Sequence, residues 1–168
     1  MSHWVFGYGS LIYKVDFPYI RREAAHIKGW ERRFWQGSHD HRGTPEAPGR
    51  VVTLVESARA HCAGIGYCIT EDVFEHLDFR EKNGYRRVDT PMILESGKVV
   101  PATVYIADEN NHAFLGPDTL PNMAEHIARS HGPSGSNREY LLTLAAALRE
   151  LDVHDEHVFA LEALLLPA

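Results

Sequence analysis

The sequence predicts an α+β fold in which a small, mainly antiparallel β-barrel or curved sheet is flanked by helices. Strand-like segments come first along the chain and helical patterns later, and no regular helical crossovers separate the strands. A chain of 168 residues can bury roughly 70% of its unfolded surface, which is enough for one core with a cleft. We therefore expect a single domain over residues 1–168.

Six strands are expected where apolar or alternating residues are bounded by turn residues. The first runs into a glycine-rich turn at Gly7, and the second and third flank a polar loop at 37–49 that contains three glycines and two prolines. The expected strands cover residues 4–6, 33–36, 50–55, 64–69, 87–94 and 99–106.

Four helices are expected from caps and apolar spacing. Thr70 and Asp155 are suitable N-caps, and Pro121 suits a first helical turn that leads into Met123 and Ile127. The clearest helical pattern follows Asn137, where leucines recur every three or four residues. They are Leu141, Leu144, Leu148 and Leu151.

Composition narrows the class of protein. The net charge of -6 argues against a surface that binds nucleic acid, which requires a basic face. No apolar run reaches the roughly 18 residues of a membrane span, and the first residues lack a signal-peptide pattern, so a cytoplasmic location is expected. Cys62 and Cys68 would lie about 20 Å apart on one strand, too far for a disulfide.

Histidines raise the question of a metal site. His39, Asp40 and His41 form a cluster, and the chain has 11 histidines. However, it contains neither H-E-x-x-H nor paired C-x-x-C motifs, so a polar loop with surface histidines is the favoured interpretation. We expect no metal and no cofactor.

The turn at Gly7–Ile12 is a candidate anion site. Its glycines allow close approach of a ligand, and consecutive backbone N–H groups can converge on an anion or an oxyanion. Ile12 occupies the third glycine position of a dinucleotide fingerprint, and Ser10 lacks the flanking glycines of a nucleophile elbow. A plain tight turn is the alternative.

Residues 79–87 place one carboxylate, Glu81, among four basic residues. If this turn faces a cleft, Glu81 can transfer a proton while the cations hold substrate carboxylates. If it faces solvent, it is only a charged turn, and nearby cations favour the ionised carboxylate. Further along, Ser136 or Asn137 can cap a helix whose Tyr140 either reaches a ligand or belongs to an ordinary helix start.

Seven ordered stretches of the chain together resemble the ChaC branch of the γ-glutamylcyclotransferases. Their order and their span of almost the whole chain make the resemblance specific. They are V-F-G-Y-G-S-L-I (5–12), R-F-W-Q-G-S (33–38), D-H-R-G-T-P (40–45), P-G-R-V-V-T-L-V (48–55), D-F-R-E-K-N-G-Y-R (78–86), G-P-S-G-S-N-R-E-Y-L (132–141) and D-E-H-V-F-A-L-E (155–162).

The resemblance implies a barrel-like γ-glutamylcyclotransferase fold and a lyase that cyclises the γ-glutamyl group of glutathione to 5-oxoproline, releasing cysteinylglycine. It implies that Glu81 is the catalytic acid/base and that Tyr140 and Arg50 approach the substrate. One departure is Asn83-Gly84, where the family usually has Gly-Gly. The implied substrate-holding turn comprises Gly7, Tyr8, Gly9, Ser10, Leu11 and Ile12.

Two alternatives remain open from the sequence. A cyclotransferase for other γ-glutamyl amino acids or amines would share the glutamyl-holding turn. A non-catalytic module that binds γ-glutamyl peptides would share the fold but lack the acid/base, and the presence of Glu81 weakens this alternative.

Overall fold

The computed structural model describes residues 2–81, 85–108 and 110–166. The chain divides into two compact units. The barrel unit comprises Met1–Glu31 and Leu54–Asn111, and the helical unit comprises Arg32–Thr53 and His112–Ala168. The expectation of one domain over residues 1–168 stays a prediction.

Five long strands form a closed barrel in the order β1–β3–β2–β4–β5. β1 is antiparallel to β3 and parallel to β5, and β4 is antiparallel to both β2 and β5. The mainly antiparallel barrel predicted from the sequence is therefore confirmed. The strands are β1 Ser2–Gly7, β2 Arg21–Ser38, β3 Gly49–Thr70, β4 Arg86–Leu94 and β5 Val99–Ile106.

The prediction of separate strands at 50–55 and 64–69 was wrong, because both belong to the 22-residue β3. The segment between them, residues 56–63, contains Glu56 and three alanines, residue types with low strand propensity, but pairing with neighbouring strands overrides that preference. Similarly, 33–36 is only the end of the 18-residue β2.

The core of the barrel unit lies among apolar side chains of all five strands. Phe6, Ile27 and Met92 are each at most 2% exposed, and they pack with other fully buried aliphatic residues. Cys62 and Cys68 are also buried on β3 and form no disulfide. The remaining members of this cluster include Leu54, Leu94, Val104 and Ile106.

The described part of the chain has four α-helices: α1 Glu71–Glu81 in the barrel unit, and α2 Leu120–Arg129, α3 Asn137–Glu150 and α4 Glu156–Leu165 in the helical unit. Ser136 caps α3 by accepting from the Glu139 amide, and Asp155 caps α4 by accepting from the Val158 amide, both as predicted. In the described part of the chain, we find no helix that is both long and apolar enough to cross a membrane.

Candidate active site

The glycine-rich turn begins where β1 ends at Gly7. Residues Ser10–Ile12 form a single 3-10 turn, in which the Ile12 amide donates to the Gly9 carbonyl at 2.9 Å. A Cβ atom on Gly7 would lie 2.6 Å from the Cβ of Leu11, so only glycine allows this tight reversal.

Two long-range hydrogen bonds fix the outer carbonyls of this turn. The hydroxyl of Tyr67 on β3 donates to the Leu11 carbonyl at 2.5 Å, and Arg22 donates to the Ile12 carbonyl at 3.0 Å. The amides at the start of a helical turn have no acceptor within it. Those of Ser10 and Leu11 are therefore the natural donors of this turn toward a ligand.

A chain of hydrogen bonds joins the turn to α1. The hydroxyl of Tyr8 donates to the Tyr105 carbonyl at 2.6 Å, and the hydroxyl of Tyr105 donates to the Asp78 carboxylate at 2.7 Å. Arg87 reaches the same Asp78 oxygen at 3.4 Å. Because Asp78 lies one helical turn before Glu81, this chain connects the glycine-rich turn with the end of α1.

Glu81 is the last residue of α1, and its side chain is 28% exposed. One carboxylate oxygen, Oε1, accepts from Nη2 of Arg80 at 3.0 Å and from Nε of Arg80 at 3.2 Å. The same guanidinium also contacts the Asp16 carboxylate. Glu81 is therefore a partly exposed carboxylate held by one cation rather than a fully buried one.

The other basic residues of the predicted charged turn have different partners. Arg86 lies 4.0 Å from Asp108, and Arg87 binds Asp78 and Asp89. Lys82 and the Asn83-Gly84 departure lie outside the described residues.

The pKa of Tyr105 reports on its surroundings. Burial raises this pKa far above its ordinary value, and the hydrogen bond to Asp78 adds to the rise. The negative charges of Asp78 and Glu81 also contribute. Tyr105 therefore stays a protonated donor at every working pH, and the Glu81 carboxylate lies within electrostatic range of it.

In the helical unit, Arg50 is only 5% exposed. Its Nη1 donates to the carbonyls of Phe34 and Gly116, each at 2.9 Å, while its backbone N–H and C=O both bond the side-chain amide of Asn137. Burial lowers the pKa of Arg50, and the charge of Asp118 opposes that shift. Backbone carbonyls therefore take much of the donor capacity of this guanidinium.

Tyr140 lies in the first turns of α3 and is also buried. Its hydroxyl accepts from the Val52 amide at 3.3 Å, and its ring packs edge-on against Phe34. The guanidinium of Arg42 lies 5.7 Å from the centre of the same ring. The polar loop thus contributes a cation beside Tyr140, which the sequence did not single out.

The histidine cluster of that loop has ordinary polar contacts. His41 Nδ1 lies 3.0 Å from the Ser134 hydroxyl, and the His39 ring lies edge-on to His112. Across residues 2–81, 85–108 and 110–166, no three His, Cys, Asp or Glu side chains lie close enough together to hold a metal ion.

The structure thus assigns the predicted residues to two places. The barrel unit contains the Gly7–Ile12 turn and Glu81, while the helical unit contains Arg50 and Tyr140. Asp16, Tyr67 and Tyr105 were missed. Each makes its contact with a residue at least 27 positions away in the chain, so no local motif could have revealed it.

Comparison with known proteins first defines the class. The fold is that of the γ-glutamylcyclotransferases: a gamma-glutamyl cyclotransferase structure at 15% identity superposes with a TM-score of 0.58 over 97% of this chain and 88% of that chain. The crystal structure of the yeast gamma-glutamylcyclotransferase specific to glutathione superposes with a TM-score of 0.86 at 36% identity, covering 98% of this chain and 95% of that one.

The family follows from the sequence match. The model of the ChaC-like protein family matches residues 3–166. The glutathione-specific gamma-glutamylcyclotransferase 1 of Danio rerio is 44% identical, over 98% of this chain and 89% of the relative. The chain belongs to the ChaC-like family, as its seven motifs predicted.

Proposed function

We propose that this protein degrades glutathione by intramolecular cyclisation, producing 5-oxoproline and L-cysteinylglycine. The observation that carries the proposal is the hydrogen-bonded connection between the glycine-rich turn and α1 in the barrel unit. Tyr8 of the turn bonds the Tyr105 carbonyl, and the Tyr105 hydroxyl bonds Asp78, one helical turn before Glu81. The relatives named for glutathione supply the choice of substrate.

The reaction needs the two ends of one glutamyl arm to meet. Holding the arm folded removes rotations that water leaves free, so positioning supplies a large part of the rate enhancement. The Gly7–Ile12 turn would hold the glutamyl group, with the amides of Gly9, Ser10 and Leu11 directed at the substrate or the oxyanion. One well-aimed donor contributes roughly 3 kcal/mol.

Glu81 is proposed to move the proton. It takes a proton from the α-ammonium, and the freed amine forms a new C–N bond with the γ-carbonyl carbon. As the bond to the cysteinylglycine nitrogen breaks, Glu81 returns the proton to that nitrogen. The attacking nitrogen loses a second proton as the 5-oxoproline ring forms, and the released amine takes up that proton, so the charge of the α-ammonium ends on cysteinylglycine and no water enters the reaction.

Tyr140 and Arg50 are proposed as further substrate contacts. Tyr140 has its hydroxyl on the Val52 amide, and replacing it with Phe should chiefly alter substrate affinity or orientation. For Arg50, Nη2 is the guanidinium nitrogen that makes no hydrogen bond within the described ranges, so a contact with substrate would come through that atom.

We also propose that residues 1–168 act as one γ-glutamylcyclotransferase-like domain in the cytoplasm, with a small-molecule substrate and neither nucleic acid nor membrane as a partner. The family match runs through segments of both units, which supports a single functional domain. The cytosol is also the compartment in which glutathione keeps thiols reduced, so this substrate is available there.

The test is release of 5-oxoproline from glutathione, from γ-glutamyl amino acids and from γ-glutamyl amines. We expect release from glutathione, near-complete loss in Glu81→Gln, and normal rates in Glu75→Gln, which changes an exposed glutamate of the same helix. Release from other γ-glutamyl compounds alone would favour the alternative substrates. Binding of glutathione without turnover would favour a binding module.

A further inference from the structure

Arg80 lies between two carboxylates at the end of α1. Its Nη1 and Nη2 donate to the two oxygens of Asp16 at 3.0 and 3.3 Å, which is a bidentate contact. Its Nη2 and Nε both donate to a single oxygen, Oε1 of Glu81, at 3.0 and 3.2 Å. The guanidinium therefore bridges Asp16 and Glu81.

This arrangement is not what helix geometry alone would give. Adjacent residues of an α-helix do not face each other, yet Arg80 and Glu81 are adjacent. Glu81 ends the helix, and Asp16 holds the guanidinium from a segment outside it. The external carboxylate thus gives the Arg80 fork a defined direction.

The bridge leaves the two oxygens of Glu81 in different states. Oε1 accepts two hydrogen bonds, whereas Oε2 accepts none from residues 2–81, 85–108 or 110–166. A general base needs one oxygen fixed in direction and available to the proton that it removes. Oε2 fits that requirement because Arg80 occupies the other oxygen.

We propose that Asp16 and Arg80 are positioning residues: Asp16 orients the guanidinium, and the guanidinium holds Oε1 of Glu81 so that Oε2 receives the proton of the α-ammonium. This inference rests on the proposed function. In this role both residues act through Glu81 and not on the substrate. Asp16 also lies four residues beyond Ile12, so the contact ties the chain leaving the glycine-rich turn to the catalytic carboxylate.

The guanidinium of Arg80 keeps its positive charge beside Asp16 and Glu81. Burial alone would lower its pKa, but the hydrogen bond to Asp16 and the charges of Glu81 and Asp16 raise it on balance. Arg80 therefore stays positively charged across the pH range in which the enzyme would work.

The test is steady-state release of 5-oxoproline from glutathione by the full chain. For Arg80→Gln we expect kcat to fall about tenfold or more while KM changes little, since a misdirected base affects the transition state more than binding. Arg80→Lys keeps the positive charge but loses the planar guanidinium that binds both carboxylates. Its kcat should therefore lie between those of Arg80→Gln and the wild type. Arg21→Gln, which breaks the exposed pair with Glu23 in the same unit, is the matched control and should leave both constants unchanged.

A double-mutant cycle tests whether Asp16 acts through Arg80. Asp16→Asn should lower kcat several-fold in the wild-type background and cause no further loss in Arg80→Gln. Losses that multiply, an unchanged kcat in Arg80→Gln, or a raised KM with normal kcat would each overturn the positioning role. A wild-type protein inactive on every γ-glutamyl substrate would instead overturn the proposed function, and this inference with it.

Discussion

The Tyr105 hydroxyl donates a 2.7 Å hydrogen bond to Oδ1 of Asp78, joining β5 to α1. Burial raises the pKa of Tyr105, so this donor keeps its proton. Arg87 contacts the same oxygen, and Asp89 receives both Arg87 and the Thr103 hydroxyl. The helix that ends in Glu81 is therefore anchored to β4 and β5.

Replacing Tyr105 with Phe removes this anchor and keeps the ring. We expect the free energy of unfolding to fall by about 1 to 2 kcal/mol, because Asp78 loses its neutral donor. We also expect kcat to fall about fivefold, since the end of α1 loses its fixed position. Urea unfolding and 5-oxoproline release measure the two effects.

The matched control is Thr103→Val on the same strand. It removes a hydrogen bond to Asp89, which is not on α1. In Thr103→Val the free energy of unfolding should fall, while the folded protein should release 5-oxoproline at the wild-type rate. Equal rate losses in both variants would mean that the anchor of α1 has no special effect on catalysis.

Replacing Tyr67 with Phe tests the glycine-rich turn. The hydroxyl of Tyr67 holds the Leu11 carbonyl, and its ring keeps edge contacts with Phe17 and Tyr19 in the variant. A loosened turn should raise KM for glutathione about tenfold, which corresponds to about 1.4 kcal/mol of binding. Initial-rate kinetics over a range of glutathione concentrations measure this KM.

Tyr19→Phe is the control for this change, because it alters an exposed tyrosine that packs on the same ring. Its KM should match that of the wild type. A normal KM in Tyr67→Phe would show that the turn does not depend on this hydroxyl.

Local sequence patterns predicted which strands and helices exist better than they predicted how long each one is. The strand at 99–106 matches β5, and the caps at Ser136 and Asp155 are where polar residues precede apolar periodicity. The middle of β3 was missed because its pairing partners, not its own residues, keep it extended.

Similarly, the sequence pointed to Glu81 and the glycine-rich turn but not to the residues that orient them. Asp16 lies 64 positions from Arg80, and Tyr67 lies 56 positions from Leu11. Tyr67 also alternates with apolar residues, so its pattern indicated only core. Contacts of this kind depend on how strands are brought together, which spacing along the chain does not encode.

Replacing Arg50 with Lys separates its two roles. Lysine has one nitrogen, whereas Arg50 binds the carbonyls of Phe34 and Gly116 through Nη1 and His126 through Nε, so the free energy of unfolding should fall by about 2 kcal/mol. If Nη2 contacts substrate as proposed, KM should also rise in the folded protein. Thermal unfolding and initial rates measure these effects, and an unchanged KM would remove Arg50 from the substrate site.

His157 should make the free energy of unfolding depend on pH. Its Nε2 accepts a hydrogen bond from the Phe34 amide at 3.0 Å, which requires the neutral ring. Burial and the charges of Arg33 and Arg32 together lower the pKa of His157 to about 4, and Asp155 opposes them.

The sign follows from proton uptake. Between about pH 6.5 and about pH 4, His157 becomes protonated in the unfolded protein but stays neutral in the folded protein. The free energy of unfolding therefore falls as the pH falls through this range. The loss from this one group is about 3 kcal/mol by pH 4. Above pH 6.5 both states are neutral and His157 contributes no pH dependence.

His157→Gln provides the test because glutamine can still accept from the Phe34 amide but does not titrate. At pH 7 the variant should be less stable than the wild type, since it loses the stacking of the imidazole on Phe34. The difference in free energy of unfolding should shrink as the pH is lowered to 4.5, measured by urea unfolding at each pH. A difference that stays constant with pH would mean that His157 has the same pKa in the folded and the unfolded protein.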